Sequence, residues 1–175
     1  DRRHPSKRLR PVASQRLAAP VAWASAGILA AVGLGASLAL EPAFAFVALL
    51  YLGTMSAYTL VLKRLVFLDV ASIAAGFVLR AAAGAAAIQV PISLWLYTCT
   101  GLGALFIALA KRRSELLSAG EQAGRQRDSL ASYSAPLLRR LMRGAAVTTL
   151  VAYAVYAFTA DNLPGNRAMA ITIPI

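Results

Sequence analysis

The fold is decided by LAAPVAWASAGILAAVGLGASLAL (Leu17–Leu40) and PAFAFVALLYLGTMSAYTLVL (Pro42–Leu62), two adjacent segments that contain no charged residue. Only Glu41 separates them. An α-helix rises 1.5 Å per residue, so about 20 apolar residues cross the roughly 30 Å of hydrocarbon in a bilayer. Each segment is long enough for one crossing, and together they predict two transmembrane helices that meet at Glu41.

Further apolar runs extend the same pattern along the chain. Val70–Val90 contains one charge, Arg80, Pro91–Ala110 contains none, and Gly144–Ala160 is a shorter fifth run. A sixth begins at Ala168. The pattern predicts an all-α fold, a multi-pass transmembrane helical bundle with five complete spans and the start of a sixth. We expect the sequence to be the middle of a longer membrane protein, because it opens in a polar motif and closes within an apolar run.

The Lys and Arg residues predict how this bundle is oriented. If each run is one crossing, segments 1–19, 63–69 and 111–143 share one side and hold sixteen of the eighteen Lys and Arg residues. The other side receives Glu41 and the stretches 89–91 and 161–167. Cytoplasmic loops are enriched in Lys and Arg. We therefore predict one transmembrane domain over residues 1–175, in the plasma (inner) membrane, with these three segments in the cytoplasm.

The formal net charge of +11 also limits the class of ligand. Such a charge can indicate nucleic-acid binding, but here the cations flank apolar runs and lack the interleaved aromatic residues that stack on bases. Part of the charge serves orientation. The remainder suits phosphates or lipid headgroups, so we predict an anionic ligand at the membrane and no nucleic-acid partner.

The first polar segment is DRRHPSKRLRP (Asp1–Pro11), in which five cations accompany one acid. The residue before a proline is disfavoured in the helical region, so His4 and Arg10 hold the backbone extended. A stiff, non-helical loop rich in Arg and Lys is a plausible clamp for phosphates. An ordinary positive flank of a membrane span is the alternative, and the residues alone leave both open.

The second polar segment begins near Tyr58, continues through Lys63 and Arg64, and ends at Asp69. Interfacial Tyr and snorkelling Lys residues are common for purely physical reasons. Asp69 is suited to the N-terminus of the next helix, where it interacts favourably with the helix dipole. Taken singly, these residues have structural as well as functional interpretations.

Arg80 lies eleven residues beyond Asp69, which places it roughly 16 Å along a regular helix and deep in the bilayer. Such residues are costly and usually face the bundle interior or a cavity. One interpretation is an anion contact at the floor of a polar cavity. The other is a buried pair with an acidic or carbonyl partner.

The third polar segment opens with KRRSE (Lys111–Glu115) and reaches Arg143. Its later part, residues 130–141, has leucines at helical spacing, which suits a helix on the membrane surface or a lid over a site. Glu115 and Asp128 are its candidate metal ligands, besides Asp1 and Asp69 earlier in the chain. Since Mg²⁺ commonly uses one or two carboxylates plus substrate phosphates, few acids are enough.

A resemblance to a known family emerges from these motifs. Residues 1–14, DRRHPSKRLRPVAS, resemble the second half of the aspartate-rich signature of the UbiA-type polyprenyl transferase superfamily, with Asp1 as its last aspartate. Tyr58 and Lys63-Arg64 resemble the Tyr/Lys motif of that superfamily. Other stretches resemble its decaprenyl-phosphate phosphoribosyltransferase branch, and the resemblance covers nearly the whole chain: LDV (68–70), GFVLR (76–80), AG (83–84), KRRSEL (111–116), SL and YS (129–134) and TIP (172–174).

The resemblance implies a bundle of nine spans, of which this chain would hold the third to the seventh and the start of the eighth. It implies an Mg²⁺-dependent transfer of a 5-phosphoribosyl group from phosphoribosyl diphosphate to a polyprenyl (decaprenyl) phosphate, in the synthesis of cell-envelope arabinan precursors. Ordinary prenyl transferases of the superfamily carry a second aspartate-rich motif after the sixth span. Here Lys111–Glu115 stands in that place with one acid.

The implied roles fall into three groups. Asp1, Lys63 and Tyr58 are the predicted catalytic residues, and Asp1 and Glu115 are the predicted metal ligands. We expect the fragment alone to be inactive, because two spans and most of the acidic motif would lie outside it. The predicted substrate-binding residues are the cations that face the phosphates: Arg2, Lys7, Arg10, Arg64, Arg80, Lys111, Arg112 and Arg113.

Two other functions remain open from the sequence. One is a prenyl transferase that attaches a polyprenyl chain to an aromatic acceptor, as in quinone or haem biosynthesis, and the missing second acidic motif counts against it. The other is a non-enzymatic transporter or membrane scaffold with a lipid-binding basic face. That alternative predicts no dependence on Asp1 or Mg²⁺.

Overall fold

A computed structural model describes residues 11–119 and 132–159. These ranges form five long helices: α1 (Ala19–Leu40), α2 (Pro42–Leu60), α3 (Leu68–Ala87), α4 (Leu94–Ala119) and α5 (Ala135–Thr159). No strand occurs in either range. All five helices are long and apolar enough to cross a membrane. The predicted all-α, multi-pass fold is confirmed, while the sixth apolar run lies outside the described residues.

The first helix boundary follows from a proline. Glu41 has an extended backbone (φ −161°, ψ 126°) between α1 and α2, as expected for a residue that precedes a proline. Pro42 is the first residue of α2, a position where its missing N–H would have no helical partner anyway. At the same end of the bundle the Gln89 side chain donates a hydrogen bond to Glu41 Oε2, at 2.7 Å. The two short connections predicted to share one side therefore do meet.

Helices α4 and α5 are longer than the apolar runs that predicted them. α4 continues past Ala110 through the basic cluster to Ala119, and α5 begins at Ala135, nine residues before Gly144. The interpretation of residues 130–141 as a separate surface helix or lid is wrong for residues 135–141, which are the first turns of α5. Leu, Arg and Met are good helix formers, so nothing in this stretch stops the helix before it enters the apolar run.

The helices pack in chain order, α1 on α2, α2 on α3, α3 on α4 and α4 on α5. The buried apolar core lies where α3, α4 and the start of α5 meet, and it includes Val70, Leu109 and Leu138. By contrast, Trp23 on α1 is 73% exposed. A broad apolar surface of this kind suits contact with lipid or with further spans.

One close approach holds α2 against α3. A Cβ added to Gly76 would lie 2.7 Å from Met55 Cε, closer than side chains pack. Small residues let membrane helices approach closely. Gly76 therefore leaves room for the Met55 side chain between the two helices that lead to and from the second polar segment.

Candidate functional site

The polar side chains of the described ranges concentrate at one end of the bundle. This end is formed by the end of α2, the 3₁₀ turn Leu62–Arg64, the start of α3, the end of α4 and the start of α5. Successive spans run in opposite directions, so alternate connections share one end. Glu41 and Gln89 occupy the opposite end.

The centre of this end is a buried ion pair between α3 and α4. Arg112 Nε lies 2.7 Å from Asp69 Oδ2, and the two side chains are 1% and 0% exposed. The Arg112 guanidinium also donates to Glu115 Oε2 and, at 3.3 Å, to the Tyr58 hydroxyl. Buried charges need such partners, since an unpaired ion in an apolar interior costs several kcal/mol. The guanidinium thus ties α2, α3 and α4 together.

The second carboxylate oxygen of Asp69 connects this pair to the segment before α5. Tyr133 donates its hydroxyl proton to Asp69 Oδ1 at 2.8 Å, and the same oxygen accepts the Val70 N–H at 2.8 Å. The Tyr133 hydroxyl in turn accepts the Phe67 N–H at 2.7 Å. Phe67 and Tyr133 also pack ring edge to ring face, with centroids 5.7 Å apart. Both carboxylate oxygens are therefore engaged.

Phe67 has a backbone that is unusual for a residue with a side chain. Its φ is 65° and its ψ is −38°, a region in which non-glycine residues are strained by about 1–3 kcal/mol. The contacts with Tyr133 hold it there. This backbone turns the chain from the 3₁₀ segment into α3 and places Asp69 in the first turn of that helix.

Tyr133 is a neutral donor in this network. Burial, together with the hydrogen bond to Asp69, raises the pKa of Tyr133 to about 12, although the Phe67 N–H acts in the opposite direction. The neutral phenol keeps the proton that it donates to the carboxylate. The network therefore has a fixed direction at neutral pH, with Tyr133 as donor and Asp69 as acceptor.

A comparison with known families identifies the chain. The family model described as "UbiA prenyltransferase family" matches residues 1–173. The chain belongs to this family. The UbiA superfamily resemblance noted in the sequence motifs is thereby confirmed.

Three curated relatives of this chain are named "Decaprenyl-phosphate phosphoribosyltransferase". This chain is 36% identical to the protein of Mycolicibacterium smegmatis over 93% of its own length and 51% of the relative. It is 31% identical to that of Mycobacterium tuberculosis, over 99% and 58%. It is 32% identical to that of Corynebacterium glutamicum, over 90% and 48%. The chain thus spans about half the length of these relatives.

Of the UbiA-type site residues predicted from the sequence, the structure brings Tyr58, Arg112 and Glu115 into direct contact. Lys63 and Arg64 lie in the 3₁₀ turn at the same end, the first half-buried and the second exposed. Lys111 is exposed. Their roles in catalysis and substrate binding stay predictions.

Arg80 lies apart from this end of the UbiA bundle, in the middle of α3. Its guanidinium donates to the Tyr51 hydroxyl, 5.1 Å from the Tyr51 ring centroid and 5.6 Å from that of Phe77. Both are cation–π distances. The partner is therefore aromatic, not the acidic or carbonyl group of one sequence interpretation. A substrate contact of Arg80 remains a prediction.

Arg113 points away from the Asp69–Arg112 pair although it is adjacent to it in sequence. It lines a cavity between α4 and α5 together with Arg139 and Arg143. Successive helical residues are separated by about 100° around the axis. The three cations predicted to act together from 111 to 113 thus face three directions, and only Arg112 enters the buried network.

Several predicted residues of the UbiA signature lie outside the described ranges, namely Asp1, Arg2, Lys7 and Arg10, as does Asp128. Two residues of the buried network, Asp69 and Tyr133, were not among the predicted catalytic or substrate-binding residues, although Asp69 was a candidate metal ligand. Two features of the sequence could have indicated that these residues belong to the site. Asp69 is an acid at the edge of an apolar run, and both residues stand in stretches that resemble the phosphoribosyltransferase branch.

The carboxylates of the described ranges differ in how well they suit a divalent metal. No group of three His, Cys, Asp or Glu residues comes together within 11–119 and 132–159. Asp69 does not fit, because it is fully buried and both of its oxygens are engaged. Glu115 fits as a single ligand, since its side chain is 33% exposed and Mg²⁺ accepts one or two carboxylates with phosphate and water completing the shell.

Proposed function

We propose that the complete protein is a membrane transferase that moves a 5-phosphoribosyl group from phosphoribosyl diphosphate to a polyprenyl (decaprenyl) phosphate. This step belongs to the synthesis of cell-envelope arabinan precursors. The names of the three relatives, each similar over at least 90% of this chain, support it. The chain would contribute one part of the site.

One observation carries this proposal beyond the family name. The end of α4 presents one exposed cation, Lys111, and a single partly exposed carboxylate, Glu115, held by the buried Arg112. The resemblance implies that ordinary prenyl transferases of the superfamily carry a second aspartate-rich motif at this place. A donor that carries one phosphate apart from its diphosphate suits a cation here, because a phosphate can pair directly with a positive side chain.

The reaction balances with few protein groups. An oxygen of the acceptor phosphate forms a bond to C1 of the ribose, the bond from C1 to the diphosphate oxygen breaks, and the diphosphate leaves with the electron pair. The attacking oxygen is already anionic, so no general base is required. Mg²⁺, when bound, would neutralise charge on the departing diphosphate. Asp1 and Glu115 are the residues that would hold it.

The remaining predicted residues would position the two phosphorylated substrates. Arg2, Lys7 and Arg10 would surround the donor diphosphate. Tyr58, Lys63 and Arg64 would hold the second phosphate of the donor or that of the acceptor. Lys111 would close the site from the end of α4.

Arg112 has a positioning role in this scheme. Its Nε edge is committed to Asp69, and its terminal nitrogens reach Glu115 and Tyr58. It would therefore hold a predicted metal ligand and a predicted catalytic residue in a fixed relation. Preorganised polar groups of this kind avoid the cost of reorganising during the reaction.

The proposed location is the plasma membrane, with the site facing the cytoplasm. The support is the charge asymmetry, with sixteen of eighteen Lys and Arg residues in segments 1–19, 63–69 and 111–143. Both substrates then have access, since a polyprenyl phosphate lies in the membrane and a sugar diphosphate is soluble.

The test uses membranes that contain the full-length protein, polyprenyl phosphate, Mg²⁺ and phosphoribosyl diphosphate labelled in the ribose. We expect label to enter the lipid fraction and EDTA to prevent it. Glu115→Gln should lower transfer at limiting Mg²⁺, while Glu41→Gln, the same change at the opposite end of the bundle, should not. Equal transfer by the two variants over a full Mg²⁺ titration would remove Glu115 from the metal site.

A prenyl transferase acting on an aromatic acceptor is the second candidate, favoured by the description of the matched family. Its distinguishing result is consumption of a polyprenyl diphosphate with an aromatic acceptor, and no transfer of ribose label. The same membranes serve both assays. A protein that carries out neither reaction, although folded, would favour the transporter or scaffold alternative.

A further inference from the structure

A second cationic feature lies between α4 and α5, apart from the Asp69–Arg112 pair. It is a cavity of about 300 Å³. Three of its lining residues are arginines and three are apolar or small: Arg113, Arg139, Arg143, Phe106, Met142 and Ala146. We call it the α4–α5 pocket.

The pocket is built on regular helix faces. Its α5 residues, Arg139, Met142, Arg143 and Ala146, have the spacing i, i+3, i+4, i+7, which places them on one stripe. The α4 residues, Phe106 and Arg113, are seven apart and also share a face. The three guanidinium groups are therefore brought together by the packing of two long helices.

The charge of this pocket is not balanced within the described ranges. The ion pairs there are those of Arg112 with Asp69 and Glu115, and the pocket arginines take no part in them. Arg113 Nε is buried and has no hydrogen-bond partner in those ranges. A buried donor without a partner is costly, and like charges that converge repel each other. An anion in the pocket would relieve both costs.

The lining also indicates what the anion is attached to. Phe106, Met142 and Ala146 form an apolar wall beside the three cations. Arginine binds phosphate oxygens through paired, charge-assisted hydrogen bonds, and basic pockets between membrane helices bind lipid headgroups. We propose that the α4–α5 pocket binds the phosphate of an anionic membrane lipid, whose apolar chain lies along this wall. The site is separate from the transfer chemistry proposed above and does not depend on it.

The experiment measures lipid binding by the full-length protein in detergent. Phosphatidylglycerol is titrated against phosphatidylcholine of the same chains, and binding is followed by native mass spectrometry and by the rise in apparent Tm. Arg143→Gln and Arg113→Gln should each weaken phosphatidylglycerol binding about tenfold, since each removes a hydrogen bond to a charged group. Phosphatidylcholine binding should be weaker in the wild type and insensitive to either change.

Arg140→Gln is the matched control, because Arg140 is exposed, neighbours Arg139 and does not line the pocket. It removes the same charge and should leave phosphatidylglycerol binding unchanged. Arg143 is exposed as well, so Arg143→Gln should fold. Equal weakening by Arg113→Gln, Arg143→Gln and Arg140→Gln would reduce the effect to net charge and overturn the proposal, as would no weakening by any of them.

Two further titrations identify the source of the phosphate. Polyprenyl phosphate that displaces phosphatidylglycerol, and loses affinity in Arg143→Gln, would assign the pocket to that lipid phosphate instead of a bulk phospholipid. If inorganic phosphate raises the apparent Tm as much as the lipids do at equal concentration, the assignment to a lipid is contradicted. Failure of ribose transfer in the activity assay affects neither result.

Discussion

The buried pair of Asp69 and Arg112 should dominate the stability of the site. Asp69→Ala removes the 2.7 Å ion pair and the acceptor of the Tyr133 hydroxyl. It leaves Arg112 buried at 1% exposure, with the partly exposed Glu115 as its one remaining ionic partner within residues 11–119 and 132–159. Breaking a buried pair by removing one partner costs about 3–5 kcal/mol. We expect a loss of free energy of unfolding in that range.

Glu115→Gln provides the contrast for this prediction. It breaks the other ion pair of the same guanidinium, but this pair is an i,i+3 contact with a side chain that is 33% exposed. Pairs of this kind contribute about 0.5 kcal/mol. The structure therefore predicts that two carboxylates on one arginine differ several-fold in their contribution to stability, because they differ in burial.

The assay is reversible unfolding of the full-length protein in mixed micelles with increasing SDS at pH 7. A double-mutant cycle adds Arg112→Met to Asp69→Ala. Since the second change removes a buried charge that has already lost its partner Asp69, we expect the double variant to lose less than the sum of the single losses, with a coupling of about 2 kcal/mol. Additive losses, or equal losses for Asp69→Ala and Glu115→Gln, would refute the reasoning from burial.

Three other outcomes follow from the described contacts. Tyr133→Phe should lower stability by about 1–2 kcal/mol at pH 8, because two hydrogen bonds are lost. In the wild type, the raised pKa of Tyr133 favours the neutral phenol in the folded state, so stability should fall as the pH rises from about 10 to about 12. The difference in stability between the wild type and Tyr133→Phe should therefore be smaller when SDS unfolding is measured at pH 11. Gly76→Leu should cost about 1–3 kcal/mol by forcing Met55 aside, whereas Gly84→Leu, where no atom lies near the added Cβ, should not, as thermal unfolding in detergent can show. Arg80→Leu should leave Mg²⁺-dependent ribose transfer within about threefold of wild type if its aromatic contacts are purely structural, and a larger loss of transfer with unchanged Tm would restore its predicted substrate role.

The apolar runs predicted five helices, but the ends of α4 and α5 were predicted poorly. The stretches 111–119 and 135–143 include several charged residues, so a pattern based on hydrophobicity ended the spans at Ala110 and began the last one at Gly144. The backbone continues as helix because those residues are good helix formers and because Leu109 and Leu138 pack in the shared core. A charge count marks where a span leaves the membrane, not where its helix ends.

The structure brings together some of the residues that were predicted for the site. Tyr58, Arg112 and Glu115 do meet, since the predicted alternation of spans places their segments at one end. Asp69 was considered for its own helix N-terminus and as a candidate metal ligand, and its ion pair was not predicted, because its partner Arg112 lies 43 residues away in sequence. A long-range pair of this kind leaves no periodic trace in a single sequence.

The sequence by itself determined the class, the number of described spans and the end of the bundle at which the cations gather. These properties are sums over contiguous residues, such as the length of an apolar run or the charge of a loop, and so they do not depend on how helices rotate against each other. Only the tertiary structure decided that three consecutive residues, Lys111, Arg112 and Arg113, face solvent, Asp69 and the α4–α5 pocket respectively. The physical reason is the 100° step of the α-helix, which turns neighbours in sequence toward different surroundings.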